Sequence, residues 1–126
     1  MNIKKFILTG IILFLTDMGF IYLITPVFNT MVKKIQGRDI SIKTYSFILA
    51  YIFLTFQIYY FIIEKNLSLL DAFLLGMTTY GIFDLTNLTI FKNYSFKVSL
   101  IDTTWGGILY LLVTLIYRYS EKLLNF

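Results

Sequence analysis

Four long apolar blocks, separated by short polar stretches, dominate the pattern of the chain. They cover Phe6–Thr25, Thr44–Ile63, Asp71–Phe91 and Ser99–Tyr117. A membrane-spanning helix needs about 20 mostly apolar residues to cross about 30 Å of hydrocarbon, and each block has about that length. The pattern therefore predicts an all-α integral membrane protein whose four transmembrane helices form one antiparallel bundle.

A short amphipathic stretch lies between the first two blocks. Pro26 is predicted to end the first helix, because proline starts helices more readily than it continues them. Within Val27–Gln36, Met31 and Ile35 share one apolar face and two lysines lie on another. This spacing is typical of a short interfacial helix that lies on the membrane, and an ordinary polar loop is the alternative.

The composition favours the same environment. Of the 126 residues, 58% are hydrophobic and only 14% are charged, whereas soluble proteins carry about 25% charged residues. We expect residues 1–126 to form a single four-span domain. The chain has no cysteine and no histidine, which removes thiol chemistry and the commonest zinc and haem ligands. No metal site is predicted, and the sequence identifies no cofactor.

The net charge of +4 has a membrane explanation. The 11 basic residues lie at the ends of the blocks, where lipid headgroups are the expected contact, so the predicted partner is the bilayer and not a nucleic acid. Five of them lie on the side of the N-terminus, here called the near side, and six on the far side. The positive-inside rule therefore gives no orientation, and the sequence does not say which membrane holds the protein.

Three aspartates lie in or near the apolar interior without a basic residue at their depth. They are Asp17, Asp84 and Asp102. A charge at the bilayer centre costs about 2.5–3.5 kcal/mol, so each acid must be protonated, bind a cation or accept hydrogen bonds. At about 1.5 Å per residue, all three fall in the far half of the membrane. We expect them to converge on one site that opens toward the far side.

Other polar and aromatic residues share the faces of these acids. Tyr80, Asp84 and Asn87 form one stripe of the third block, and Asp102 and Trp105 form one stripe of the fourth. A tyrosine of the second block lies at about the depth of Asp84 and is a further donor. The candidate ligand- or ion-binding residues are Asp17, Asp84, Asn87, Asp102, Trp105, Tyr80 and Tyr51. None of them can be given a catalytic role from the sequence.

The stretch from position 83 to position 109 resembles a known family of small four-span membrane proteins. The resemblance rests on Asp84-Leu85-Thr86-Asn87, a short basic turn, and Asp102-x-x-Trp105-Gly106. It extends to Asp17-Met18-Gly19-Phe20, where relatives tend to have Asp-x-x-Trp, and relatives often have tyrosine at the position of Phe83. The family is catalogued as domain of unknown function 2177. It implies the four-span fold and the site but no reaction, because its function is not established.

Three functions fit these residues. Proton- or cation-linked transport or conduction of a small solute is favoured, because acids that face a bundle interior are typical of such paths. Four spans make a narrow bundle, so a path is expected to need a homo-oligomer. The alternatives are a structural or assembly protein whose acids are interhelical hydrogen-bonding groups, and a lipid-modifying membrane enzyme with paired carboxylates as acid and base.

Overall fold

The computed structural model describes residues 1–125, and within them it is entirely helical. The helices are α1 (Ile3–Gln36), α2 (Thr44–Ile58, continued by a π-helical turn at Tyr59–Ile63), α3 (Leu69–Ile90) and α4 (Phe96–Leu124). All four are long and apolar enough to cross a membrane. The predicted four-helix membrane protein is confirmed.

Contacts on the near side establish the antiparallel order. The Lys5 ammonium at the start of α1 lies 3.5 Å from the Glu121 carboxylate near the end of α4. The Asn2 backbone N–H donates to the Tyr59 hydroxyl at the end of α2, over 2.9 Å. The start of α1 therefore lies beside the ends of α2 and α4 on the near side, as the sequence predicted.

The first helix does not stop at Pro26, and the prediction of a break there is wrong. A proline inside a helix removes one backbone hydrogen bond, but membrane helices tolerate it where neighbouring hydroxyls and helices satisfy the backbone. Pro26 leaves the Tyr22 carbonyl, four residues earlier, without its N–H partner, and in the same turn the Thr25 hydroxyl donates to the Ile21 carbonyl over 2.5 Å. The stretch 27–36 is thus the last part of α1 and not a separate interfacial helix, and α1 ends at Gly37, whose φ is 78°.

The far end of α1 covers the connection between α3 and α4. At about 1.5 Å per residue, a helix of 34 residues is longer than the hydrocarbon layer, so its end projects beyond the spans. Its apolar face does not lie on lipid: Met31 is 5% exposed and packs with Tyr94 and Val98. This second apolar cluster forms a cover over the α3–α4 connection.

Glycines hold α3 and α4 unusually close together. A Cβ built on Gly76 would lie 2.1 Å from the Gly106 carbonyl oxygen, and one built on Gly106 would lie 2.4 Å from the Tyr80 ring. Both distances are far below van der Waals contact, so no larger residue fits. Small residues permit such close helix packing in membranes, and α3 and α4 form the most extensive helix pair of the described chain.

The second helix packs mainly against α1, and its last turn is wide. The Glu64 N–H donates to the Tyr59 carbonyl, five residues earlier, over 2.8 Å, which is the π-helical pattern. This turn directs Tyr59 and Ile62 into the core, where they are 2% and 1% exposed. In the far half, α2 stands away from α3, and the space between them is the cavity described below.

Candidate functional site

Asp17 is the junction of three helices. It lies on α1 and is 5% exposed. Tyr51 of α2 donates its hydroxyl to one carboxyl oxygen, and the Trp105 indole N–H of α4 donates to the other over 2.8 Å. The sequence placed Tyr51 at the depth of Asp84, but the structure pairs it with Asp17. Both oxygens of this acid therefore have a donor.

Aromatic packing orients both donors. The Trp105 ring stacks on Phe20 with centroids 4.7 Å apart and planes at 10°. The Tyr51 ring meets Phe14 edge-on at 5.7 Å and Phe47 at 4.9 Å. Because both rings are held by neighbours, the donors of Asp17 are preorganised.

Removal of either donor is expected to destabilise the fold. Tyr51→Phe and Trp105→Phe should each lower the free energy of unfolding by about 1–3 kcal/mol, since each leaves a buried carboxyl oxygen without a partner. Because the donors share Asp17, the double variant should deviate from additivity. Reversible unfolding in detergent measures this. Tyr22→Phe is the matched control, because Tyr22 is 82% exposed. An effect of Tyr51→Phe no larger than that of the control would contradict the junction.

Asp84 is fully buried, and only one of its oxygens is satisfied. Its side chain is 0% exposed. The Tyr94 hydroxyl donates to Oδ1 over 2.9 Å, and the half-buried Asn87 lies nearby on the same helix as Asp84. Burial raises the pKa of Tyr94, which keeps its proton available for donation. The second oxygen, Oδ2, has no hydrogen-bond partner among residues 1–125.

Asp102 completes this arrangement from α4. Its carboxyl lies near that of Asp84, so two acceptor groups are neighbours. Two adjacent carboxylates repel each other unless a proton or a cation lies between them. A shared proton would give the buried oxygen of Asp84 the donor that it lacks. We call these two residues the acid pair.

A cavity of about 980 Å³ lies between α1, α2 and α3 in the far half of the bundle. Asp17, Asp102 and Tyr80 line it. Gln57 forms its floor: its amide donates to Thr79 over 2.9 Å, and its carbonyl accepts from the Tyr110 hydroxyl. Since this clasp joins α2, α3 and α4, the cavity is closed toward the near side.

The lateral side of the cavity borders the bilayer. Phe53 on α2 and Phe83 on α3 line it and are 73% and 54% exposed. The expected opening of the site toward the far side stays a prediction, and Asp84 itself is fully buried. Tyr94 lies over Asp84, and the cover formed by Met31 and Val98 packs on Tyr94.

Three of the seven candidate residues, Asp17, Tyr80 and Asp102, line the cavity. Tyr51 and Trp105 are hydrogen-bonded to Asp17 behind this lining, and Asp84 and Asn87 lie on α3 beside Tyr94 and Asp102. Within residues 1–125, no group of three or more potential ligands is arranged to hold a metal ion. Two further polar residues of this region, Tyr94 and Gln57, were not among the site residues predicted from the sequence.

Tyr94 lies in the turn between α3 and α4. The basic residues of this turn were expected to contact lipid headgroups, so no signal in the sequence pointed to Tyr94. Gln57 is the lone side-chain amide of an uncharged span, and that isolation was a usable signal. Both side chains are polar. Gln57 of α2 contacts Thr79 of α3, and Tyr94 contacts the Asp84 carboxyl that lies under its turn. Polar groups of this kind are recognised only when the neighbouring helices are in place.

Comparisons with known proteins give one result. No curated protein and no solved structure matches the chain. A family model described as a predicted membrane protein, DUF2177, matches residues 2–118. The match includes α1, α2, α3, most of α4, and all seven candidate residues. With most of its length inside the model, the chain belongs to the DUF2177 family of predicted membrane proteins.

Proposed function

We propose that this protein is a proton-linked carrier of a small solute, in which the acid pair holds the exchanged proton. The observation that carries the proposal is the position of Asp102. Its carboxyl faces the buried Asp84 on one side and lines the cavity on the other. A solute in the cavity and the proton of the acid pair therefore compete for the same carboxyl.

The two ends of the site support a carrier over an open pore. Toward the near side, the clasp of Gln57 with Thr79 and Tyr110 closes the cavity. Toward the far side, the cover around Met31 lies over Tyr94 and Asp84. A conducting pore needs a continuous polar path between the two sides of the membrane, whereas a carrier needs a binding site that is closed on one side, as this cavity is toward the near side.

The surroundings of the acid pair favour one proton per site. Asp17 is the other acid that faces Asp102, and the tyrosines that face the group are Tyr80 and Tyr94. No basic residue lines the cavity. Without a cationic neighbour, two adjacent carboxyls are stabilised by a proton or by a bound cation, and exchange between these two states is the chemistry of proton-linked transport.

Infrared spectroscopy of the protein in lipid tests the proposed proton site. At neutral pH, in cation-poor buffer, we expect a protonated-carboxyl band that Asp84→Asn and Asp102→Asn each remove. Because the two sites share the proton, either substitution should abolish the whole band. Glu64→Gln is the matched control, since Glu64 is an exposed acid. A wild-type spectrum without the band, or a band that survives both substitutions, would refute the proton site.

A second proposed role, the structural joining of helices, is supported by Asp17. Both of its oxygens already accept hydrogen bonds from two other helices. This is what an acid that joins helices requires. Of the alternatives, the structural or assembly protein is therefore the one with an observation in its favour, and that observation concerns Asp17 rather than the acid pair.

A further inference from the structure

We infer that the cavity binds a lipophilic monovalent organic cation, such as a substituted ammonium, whose charge lies against Asp102 and whose apolar body lies among phenylalanines of α1, α2 and α3. This inference rests on the proposed function and names the class of its solute. It is carried by the size, the charge and the aromatic lining of the cavity, together with the incompletely satisfied Asp84.

The size of the cavity suits a small organic molecule. Its volume of about 980 Å³ lies at the upper end of the range of about 300–1,000 Å³ that is typical of ligand pockets. An inorganic cation would leave most of this space empty. A molecule with a substantial apolar body matches this space better.

The charge of the lining selects a cation. Among the residues that line the cavity, two are acids and none is basic. Asp17 already receives two hydrogen bonds, whereas the Asp102 carboxyl lines the cavity and accepts no hydrogen bond from the described residues. Asp102 is thus the acid with capacity for a ligand, and one available carboxyl matches a single positive charge.

The aromatic lining suits the same ligand. Six phenylalanines line the cavity: Phe20, Phe28, Phe47, Phe53, Phe56 and Phe83. Their rings offer apolar contact to an alkyl or aryl body, and ring faces attract a cation within about 6 Å. A lipid chain would use the rings but not the acids, and a hydrated ion would use the acids but not the rings.

Asp84 supplies the link to the proton. Its Oδ2 is buried without a hydrogen-bond partner among residues 1–125, and Asp102 is a neighbouring acid. When the cation binds to Asp102, the proton shared by the acid pair leaves, one charge enters and one charge departs, and the net charge of the site is unchanged. The lipid-facing gap beside Phe53 and Phe83 lets a membrane-soluble cation reach the site from the bilayer.

Three probes of one shape test the inference. The full-length protein in lipid nanodiscs is titrated with tetraphenylphosphonium, tetraphenylborate and neutral tetraphenylmethane, with protein-free nanodiscs as the reference for partitioning. We expect saturable binding of the cation only. Asp102→Asn should weaken it at least about tenfold, equivalent to about 1.4 kcal/mol. Glu64→Gln, on the exposed near side, should not change it.

A second variant guards against misfolding of the first. Ala50 lines the cavity, and Ala50→Trp should obstruct part of it and weaken cation binding at least about tenfold, while the infrared carboxyl band persists. Equal binding of the borate, or cation binding that survives both Asp102→Asn and Ala50→Trp, would overturn the inference. Calorimetry in two buffers of different ionisation enthalpy reports proton release. Cation binding without release would leave the ligand class standing and refute the proton linkage, whereas an intact carboxyl band without cation binding would refute the ligand class alone.

Discussion

Gly76→Ala is expected to lower the free energy of unfolding by about 3 kcal/mol, at the upper end of the usual overpacking penalties. The new methyl group would lie 2.1 Å from the Gly106 carbonyl oxygen and 2.6 Å from the Tyr110 ring. The nearest obstacle is backbone, which cannot turn away as a flexible side chain can. The helices α3 and α4 would have to separate, and this would also pull Asp102 from Asp84.

The control for this substitution lies in α1. A Cβ on Gly19 meets nothing within 4 Å, so Gly19→Ala should be neutral or should stabilise the helix by up to about 1 kcal/mol. Reversible unfolding in mixed micelles compares the two variants. Equal effects of the two substitutions would contradict the close contact between α3 and α4.

Asp84→Ala is expected to be the most damaging substitution of an acid, with a loss of about 2–5 kcal/mol. It leaves the Tyr94 hydroxyl without its acceptor and Asp102 without its partner, and each unsatisfied buried group costs about 1–3 kcal/mol. Asp102→Ala should cost less, because Asp102 is half-buried and borders the cavity. The free energy of unfolding of each variant in detergent measures the difference.

A conservative change separates loss of hydrogen bonds from loss of packing. Asp84→Asn keeps an acceptor for Tyr94 and offers an amide donor to Asp102, so it should recover most of the stability that Asp84→Ala loses. It should nevertheless remove the infrared carboxyl band. An alanine variant of Asp102 that is as unstable as that of Asp84, or an asparagine variant that recovers nothing, would argue against the acid pair.

The spans could be predicted from the sequence because the bilayer fixes their length. The second block, Thr44–Ile63, coincides with α2 and its π-helical turn. Buried acids were equally visible, since a charge without a basic neighbour is costly in hydrocarbon. Depth along each helix also placed Asp17, Asp84 and Asp102 in the same half of the membrane, where the structure has them on or beside one cavity.

The pairing of the groups could not be predicted, because it depends on how the helices are rotated and packed. Trp105 and Asp17 are 88 residues apart in the chain, and depth alone does not say which acid a donor reaches. The helix break predicted at Pro26 was wrong for a related reason. The effect of a proline depends on how the surrounding structure accommodates the carbonyl that it leaves without an N–H partner. The cover over Tyr94 was hidden because an apolar stripe that faces protein looks the same in sequence as one that faces lipid.

The π-helical turn at the end of α2 gives the protein a place to change length. Such a turn holds one more residue between hydrogen-bonded groups than an α-helical turn does, and here it spans Tyr59 to Glu64. Loss of one residue from it would convert the turn to ordinary α-helix, and Gln57 and the residues before it would keep their facing toward the cavity. Single-residue insertions and deletions in the evolution of this protein are thus absorbed most easily at this turn, away from the acids.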